Sequence, residues 1–392
     1  MMPGFPEYPK WITLFSTGEK AMANTVSGQR LWKGNVGLLA LCGSWLVGCA
    51  ELEAGSFLAY QLQNDGSYRI DAREIASLKS PKHMTGELGQ IWSGGHLGVG
   101  SLEGEDLVLK YRPGQQVDVL YTVADDVARP LDRSGIVLYS FYGHLQDVRS
   151  MLSGVGVEPA ELFPVDVAVA PVAPDIGMTI MPSENAAYVS TAHTFVLLDD
   201  LVEKEVPLAA NAGIVAHEFG HALFQWLTLG ELYGGQMAGS DAELRAVASL
   251  NEGFADMVGA LVTGQPYFIA ASLDMPERRV DGDWSVGDVE FFPDDEEAGV
   301  ALGLLYDPYA LGTVFASVVW DVVLVAGDAE LVLQRVIEAT RVWGQQWASG
   351  ETRSAYRWLD AYLGEMGAEY EEVICESVAR RFGDVYVVTE CS

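Results

Sequence analysis

The segment His217-Glu218-Phe219-Gly220-His221 constrains the fold of this chain more than any other feature. On an α-helix, residues four positions apart lie on one face, so the imidazoles of His217 and His221 can bind one metal ion. The helix around them is apolar on nearly every side, through Ile214, Val215, Ala216, Phe219, Ala222, Leu223 and Phe224. Such a helix is expected to be buried, and buried histidines and carboxylates are costly unless a partner binds them. The segment therefore predicts a buried metal-binding helix.

A second segment, Asn251-Glu252-Gly253-Phe254-Ala255-Asp256, completes the predicted site. Glu252 is the expected third ligand. Asp256 lies one turn later on the same helix and can accept the free ring N–H of a ligand histidine. Glu218 lies beside His217, where a general base for a metal-activated water must stand. Two histidines, one carboxylate and an open fourth position suit a single zinc ion.

The composition excludes several other classes of protein. The chain has 392 residues, of which 49% are hydrophobic and 20% charged, as is typical of an ordered globular protein with a sizeable core. The formal net charge of −32 argues against nucleic acid as a partner. Acidic residues between 275 and 300 suggest a calcium site, but their spacing does not fit an EF-hand, so we favour a solvated loop there.

The amino-terminal region is typical of an export signal. Two basic residues precede the apolar run 36–47, and small residues follow it. The run is too short to span a membrane comfortably. Leu46-Val47-Gly48-Cys49 resembles a bacterial lipobox, which implies cleavage before Cys49 and lipid attachment to it. We therefore expect an envelope lipoprotein whose true start is Met22, with an ordinary cleaved signal and secretion as the alternative.

Two cysteines, Cys375 and Cys391, lie near the carboxyl terminus. In an exported protein, two such cysteines are expected to form a disulfide bond. Free thiols are the alternative, and mass spectrometry with and without reduction distinguishes the two.

Hydrophobic periodicity predicts a β-rich first part and a helical second part. Alternating apolar residues predict strands over 117–123 and 165–169, with a turn at Pro113-Gly114 before the first of them. Helical periodicity covers 242–262 and 310–325, and Asp328 is expected to cap the next helix. The fold class predicted from these patterns is α+β.

The candidate metal site resembles that of the thermolysin-like and fungalysin-like metallopeptidases, the gluzincin group. The matching pieces, in the family's order, are Asn185-Ala186, Val215–Ala222, and Asn251-Glu252 with Asp256 and Gly259. The resemblance implies a two-lobed zincin-like fold, with a β-rich N-terminal lobe, a helical C-terminal lobe and the zinc helix in the cleft. It also implies zinc-dependent cleavage of peptide bonds in a peptide or protein substrate, which Asn185 and Ala186 would hold in an extended conformation.

The resemblance also suggests a division of the chain. We expect a signal region over residues 1–49, a β-rich N-terminal region over 50–130, and a gluzincin-like peptidase domain over 131–392, with an upper lobe over 131–210 and a helical lobe over 211–392. The β-rich region could be a separate domain, an inhibitory propiece or part of the upper lobe.

The chain departs from the family in two ways. The segment between His221 and Glu252 is longer than usual and glycine-rich. No histidine follows His221, although thermolysin-like enzymes use a downstream histidine to stabilise the oxyanion. Tyr309 lies three residues before Gly312, where that histidine is often found, and its phenol can donate the required hydrogen bond. Tyr233 and Tyr306 are weaker candidates for this role.

Two alternative functions remain open at this point. Glu184 precedes Asn185 and could bind a free amino terminus, as in related aminopeptidases, although Met181-Pro182-Ser183 does not match their motif. A metalloendopeptidase is the favoured interpretation. A non-catalytic surface-binding lipoprotein is the second alternative, but a lost Glu218 or a broken ligand set would be expected for it, and the sequence contains neither.

Overall fold

The computed structural model describes eight segments of the chain, namely residues 55–99, 109–157, 160–171, 186–197, 205–230, 237–289, 308–383 and 385–391. In these segments the predicted α+β division is confirmed. All the described strands lie before residue 198, and all the described α-helices except the first lie after residue 211. The predicted signal region 1–49, including Cys49 and Met22, lies outside the described residues.

The strands form two sheets. They are β1 (Ser56–Leu62), β2 (Tyr68–Arg73), β3 (Leu78–Ser80), β4 (Thr85–Gly86), β5 (Gly89–Val99), β6 (Leu109–Gln116), β7 (Tyr121–Ala124), β8 (Val127–Pro130), β9 (Val165–Val169), β10 (Ala186–Val189) and β11 (Thr194–Leu197). The smaller sheet has the order β2-β1-β8-β7. The larger has the order β10-β11-β9-β5-β4-β3, with β6 paired to β5, so β10 is an edge strand among the described residues.

The helices make up most of the second half. They are α1 (Arg133–Gly154), α2 (Ala212–Leu229), α3 (Asp241–Thr263), α4 (Pro308–Ala326), α5 (Ala329–Ser349), α6 (Trp358–Met366) and α7 (Glu371–Phe382). Short 3-10 helices lie at Ser190–Ala192, Leu208–Ala210, Pro276–Arg278, Val286–Asp288, Ala355–Arg357 and Thr389–Cys391. As predicted, Asp328 caps α5, since its Oδ1 accepts a hydrogen bond from the Leu331 amide at 3.0 Å.

The larger sheet contains strands from both sides of residue 130. β5 and β9 are parallel neighbours from the pair Gly89 and Val165 to the pair Ser93 and Val169. One continuous hydrophobic core extends from this sheet to the helices α2 and α3. The division of the chain at residue 130 stays a prediction, but the strands on either side of it share one sheet.

The predicted turn at Pro113-Gly114 is wrong, because both residues lie inside β6. Pro113 is paired with Gly95 of β5, and β6 pairs only with β5 among the described strands, where a missing N–H is tolerated. A side chain on Gly114 would place its Cβ 2.2 Å from the carbonyl oxygen of Ser93. Glycine is therefore required here for close strand approach and not for a turn.

One described helix, α4, is long and apolar enough to cross a membrane, with a mean hydropathy of 1.9. Sixty-one per cent of that window is buried inside the protein, and α4 packs along α3 and against α7. These contacts are those of a core helix.

Cys375 of α7 and Cys391 form a disulfide bond, with their Cα atoms 5.5 Å apart. The bond attaches the last described residues to α7. Asp360 of α6 holds the same tail by accepting hydrogen bonds from the Tyr386 hydroxyl and from the Thr389 amide.

Candidate metal centre

Helix α2 carries three of the predicted site residues, His217, Glu218 and His221, in a buried position. Its first turn is capped by Asn211, whose Oδ1 accepts hydrogen bonds from the amides of Gly213 and Ile214. Gly230 ends the helix with a left-handed φ of 69°, which favours glycine. Nearly every side of the helix is buried, as its apolar sequence predicted, and His217, Glu218 and His221 are buried with it.

Helix α3 brings Glu252 to the two histidines. Ser240 and Glu243 form a capping box at its start, and Glu252 is 1% exposed. Glu252 Oε2 lies 3.6 Å from His217 Nε2 and 3.8 Å from His221 Nε2. Ligand atoms around tetrahedral zinc are about 3.4 Å apart, given zinc–ligand bonds of about 2.0–2.2 Å. The three ligand atoms all lie within 4.8 Å of one another, so these side chains could hold one metal ion such as zinc.

The other ring nitrogen of each histidine faces an oxygen atom of α3. His217 Nδ1 lies 2.9 Å from Asp256 Oδ1, and His221 Nδ1 lies 3.2 Å from Asn251 Oδ1. An oxygen acceptor at Nδ1 favours the tautomer in which Nδ1 carries the proton and Nε2 has a free electron pair. Burial lowers the pKa of His217 below its usual value and that of His221 to about 4, so both rings are held neutral, as metal ligands must be.

Arg278 is a site residue that the sequence did not reveal. It is buried, and its Nε donates to Asp256 Oδ2 at 3.1 Å while its Nη2 donates to Asp256 Oδ1. Burial alone would raise the pKa of Asp256, but Arg278 and His217 outweigh it and hold that pKa below its usual value. Asp256 is therefore a carboxylate that faces His217 on one side and a guanidinium on the other.

The charges of the buried cluster fit a divalent cation. Glu218, Glu252 and Asp256 carry three negative charges when ionised, Arg278 carries one positive charge, and the two histidines are neutral, which leaves two negative charges uncompensated. Burial and the nearby Glu252 raise the pKa of Glu218 well above its usual value, which is the response of a buried carboxyl group to this excess. A zinc ion between His217, His221 and Glu252 would neutralise it.

Glu218 also contacts the edge of the larger sheet. Its Oε2 accepts a hydrogen bond of 2.9 Å from the backbone amide of Tyr188 in β10. The Tyr188 hydroxyl in turn lies 2.8 Å from Nδ1 of the buried His193. The predicted base therefore lies directly beside the strand that begins at Ala186, one of the two residues expected to hold the substrate.

The remaining predicted residues are placed as follows. Ala186 is the first residue of β10, whereas Asn185 lies outside the described residues, as do Glu184, Tyr233 and Tyr306. Tyr309 lies in the first turn of α4, where its ring centre is 4.4 Å from the guanidinium carbon of Arg278. Tyr309 is therefore next to the Arg278–Asp256 pair.

Among the described residues, His217, His221 and Glu252 form the one group of three or more side chains arranged to bind a metal ion. Three described acidic residues of the predicted solvated loop have other contacts. Asp281 pairs with Arg279, Asp283 pairs with Arg380, and Asp288 caps a short helix through Ser285. Residues 290–300 lie outside the description.

Sequence reasoning missed three contacts at this centre. Arg278 follows Asp256 by 22 residues, and no local spacing connects them. The Tyr188 contact uses a backbone amide, which leaves no mark in a sequence. Asn251 could have been found, because it directly precedes Glu252, but its side-chain role depends on how α2 and α3 pack.

Comparisons with known proteins identify no family for this chain. No family model matches it, and no curated protein matches it. Among solved structures, it is similar to the precursor of protealysin, a metalloproteinase from Serratia proteamaculans, with 11% sequence identity and a TM-score of 0.43. The match covers 72% of this chain and 86% of that chain. At this level of similarity, the functional assignment depends on the side chains of the metal centre.

Proposed function

We propose that this protein is a zinc-dependent metallopeptidase that cleaves peptide bonds within a peptide or protein chain. The observation that supports this most strongly is the convergence of His217 Nε2, His221 Nε2 and Glu252 Oε2 next to the buried Glu218. Two neutral imidazoles and one carboxylate leave the fourth position of a tetrahedral ion open, which is the arrangement of catalytic zinc sites. Structural zinc sites instead use all four positions for protein ligands.

When bound, zinc would polarise the peptide carbonyl and lower the pKa of a water molecule. The chain's own residues account for the rest. Glu218 takes a proton from the attacking water and passes it to the leaving amine. Asp256 and Asn251 orient the two ligand histidines through Nδ1, and Arg278 keeps Asp256 ionised.

The edge strand β10 is the proposed site for the substrate backbone. An extended peptide can pair with an exposed sheet edge through main-chain hydrogen bonds. Ala186 begins this strand, Asn185 precedes it in the sequence, and the Tyr188 amide of the strand contacts Glu218. A peptide on this edge would therefore pass beside the proposed base.

Tyr309 is the proposed donor to the oxyanion that forms during hydrolysis. The support is its place next to Arg278, within the group of side chains that surrounds Asp256 and His217. Removal of an oxyanion-hole donor typically costs about 100- to 1,000-fold in kcat. Tyr309→Phe should lower kcat by an amount of this order and leave zinc content unchanged.

The decisive experiment compares the native protein with Glu218→Gln. Glutamine keeps the shape of the side chain but cannot accept a proton, so zinc should remain stoichiometric while peptide hydrolysis falls by orders of magnitude. Metal content is measured by mass spectrometry and cleavage with a broad peptide library. Cleavage of N-acetylated peptides separates an endopeptidase from an aminopeptidase, which needs a free amino terminus. Zinc binding without cleavage by either protein would favour the surface-binding alternative.

We also propose that the protein is exported and lipid-anchored in the bacterial cell envelope. The support is the lipobox-like Leu46-Val47-Gly48-Cys49 after a short apolar run. Mass spectrometry of the mature amino-terminal peptide tests this. A diacyl modification on Cys49 in the native protein, absent from the Cys49→Ser variant, supports the anchor. An unmodified protein that is released from the cell supports secretion.

A further inference from the structure

The start of helix α2 is capped by a side chain from the first hairpin of the chain. Three amides in its first turn have no helical acceptor, those of Ala212, Gly213 and Ile214. Asn211 Oδ1 accepts from Gly213 and Ile214, as described above. The Ala212 amide donates instead to the hydroxyl of Tyr68 in β2 at 2.8 Å. The helix that carries both histidines therefore takes one of its caps from 144 residues upstream.

Tyr68 also fixes the capping residue itself. Its hydroxyl donates to Asn211 Oδ1 at 3.1 Å, and Asn211 Nδ2 donates to Ser272 Oγ at 3.0 Å. The Tyr68 ring meets the buried His144 of α1 edge to face, with ring centres 6.5 Å apart. His144 Nε2 donates to the Ala210 carbonyl at 3.1 Å. The start of α2 is therefore held from three sides, by β2, by α1 and by the segment around Ser272.

The same hairpin reaches the end of helix α3. The carbonyl oxygen of Asn64, in the turn between β1 and β2, accepts a hydrogen bond of 3.4 Å from Gln265 Nε2. Gln265 follows the helix that carries Glu252 and Asp256. The hydroxyl of Tyr68 thus contacts the start of α2, and the turn of the hairpin contacts Gln265, two residues beyond the end of α3. These two helices supply all three candidate ligands.

The hairpin is itself anchored to α1. The Tyr60 amide of β1 donates to Ser140 Oγ at 2.8 Å, and Arg73 Nη2 donates to the Gly143 carbonyl at 3.1 Å. Arg73 also pairs with Asp147. Tyr68 is therefore presented to α2 by a supported strand and not by a free loop.

The position of the first turn of α2 affects the candidate metal site because His217 follows Gly213 by only four residues. An α-helix rises about 1.5 Å per residue, so His217 lies about 6 Å along the axis from Gly213. A shift of the first turn is carried along this short distance to His217 and Glu218. Zinc tolerates little variation in ligand distance, so such a shift weakens metal binding.

We propose that the β1–β2 hairpin is a positioning element of the metal centre, with Tyr68 as its positioning residue. The β-rich N-terminal region is then a lasting part of the working protein and not a propiece that is removed to activate it. This inference rests on the proposed zinc-dependent function.

The first test compares Tyr68→Phe with Tyr111→Phe. Each substitution removes one hydroxyl from a strand of the N-terminal region, and the Tyr111 hydroxyl donates to the Gly94 carbonyl at 2.9 Å, away from α2. Tyr68→Phe should weaken zinc binding roughly 2- to 10-fold, the equivalent of one neutral hydrogen bond. It should also change the visible absorption bands of the cobalt-substituted protein, which report coordination geometry. Tyr111→Phe should change neither.

The outcomes separate this inference from the proposed function. A native protein without stoichiometric zinc overturns the proposed function. A native protein that binds zinc, alongside a Tyr68→Phe variant with the same affinity and cobalt spectrum, overturns only the positioning role. The second test needs no substitution. The zinc-loaded native protein should begin before residue 55 by mass spectrometry, and an active, zinc-loaded form that lacks residues 55–130 would contradict the inference.

Discussion

Helix α2 packs against α3 and against α5, with a glycine at each contact, but only the contact with α3 carries the candidate metal centre. At the front crossing, Gly220 of α2 faces Ala255 of α3, and a Cβ on Gly220 would lie 2.7 Å from the Ala255 Cα. At the rear crossing, Gly344 of α5 faces Thr228 of α2, and a Cβ on Gly344 would lie 2.7 Å from the Thr228 Cα. Real Cβ atoms essentially never approach so closely, so both crossings need glycine.

The two crossings differ in what they bury. The rear crossing lies beside the rings of Phe224 and Trp343, whose centres are 6.1 Å apart, and the Thr228 hydroxyl bonds to a carbonyl of its own helix. The front crossing places the histidines of α2 opposite Glu252 and Asp256. Close packing at the rear therefore contributes stability alone, whereas at the front it also sets the distances between metal-binding atoms.

The largest expected effect comes from removing a ligand at the front crossing. Glu252→Ala should weaken zinc binding by more than about 100-fold, the upper range for residues that merely support a ligand. Thr228→Val at the rear crossing is the control and should leave zinc affinity unchanged. Competition with a chelator of known affinity measures both. Tight one-to-one zinc binding by Glu252→Ala would show that the ligand set is wrong.

Asp256→Asn should have the next largest effect. It removes the carboxylate that faces His217 and leaves the buried Arg278 uncompensated, so zinc affinity or activity should fall about 10- to 100-fold. Loss of one partner of a buried ion pair also costs about 3–5 kcal/mol of stability.

Asp321→Asn is the matched control for that substitution. Asp321 pairs with the buried Arg381 far along the chain from the metal ligands. It should lower the melting temperature without changing the zinc affinity. Equal changes in zinc affinity for the two variants would mean that Asp256 acts only through global stability.

The pair Gly220→Ala and Gly344→Ala tests the comparison of the two crossings directly. The added methyl groups meet backbone atoms at the same distance, so each should destabilise the fold by about 1–3 kcal/mol. Only Gly220→Ala should also weaken zinc binding, by several-fold, because it moves α2 away from α3. Denaturant unfolding and zinc titration measure the two effects. A similar loss of zinc affinity in Gly344→Ala would show that packing at the rear crossing also affects the metal site.

The smallest expected effect concerns pH and the start of α2. Burial lowers the pKa of His144 below its usual 6.5, although Asp147 opposes this and Arg73 of β2 adds to it. Since the unfolded chain takes up this proton more readily, the contribution of neutral His144 is fully present above about pH 6.5 and is lost as the pH falls below it.

His144→Gln should therefore flatten the dependence of unfolding free energy on pH below about 6.5. Glutamine keeps an N–H donor for the Ala210 carbonyl but does not titrate. Both the native protein and the variant are measured without metal, so that competition between protons and zinc for the ligand side chains does not contribute. An unchanged slope relative to the native protein would show that His144 does not carry this effect.

Local geometry explains which parts of the site could be predicted. The spacing of His217 and His221 and the place of Asp256 one turn after Glu252 follow from helix periodicity, so the sequence revealed them. The cap at Asp328 and the α+β division follow from equally local patterns. The turn predicted at Pro113-Gly114 was wrong because pairing of this segment with β5 outweighs the local preference of proline and glycine for turns.

Contacts between distant segments could not be predicted in this way. Nothing in the sequence around Arg278 connects it to Asp256, and nothing around Tyr68 connects it to Ala212. Each contact exists because separate elements meet in the folded core. The close approach of α2 to α3 could not be predicted either, because the need for glycine at position 220 depends on Ala255, which faces it from another helix.

The sequence by itself determined which groups can form the candidate site, namely two imidazoles, one carboxylate as the third ligand and the neighbouring Glu218, because a helix fixes the relation between residues three or four positions apart. Only the tertiary structure decided how that chemistry is held. The spacing of α2 and α3, the guanidinium at Asp256 and the hydroxyl at the start of α2 all arise from packing between elements far apart in the chain, which no local periodicity encodes.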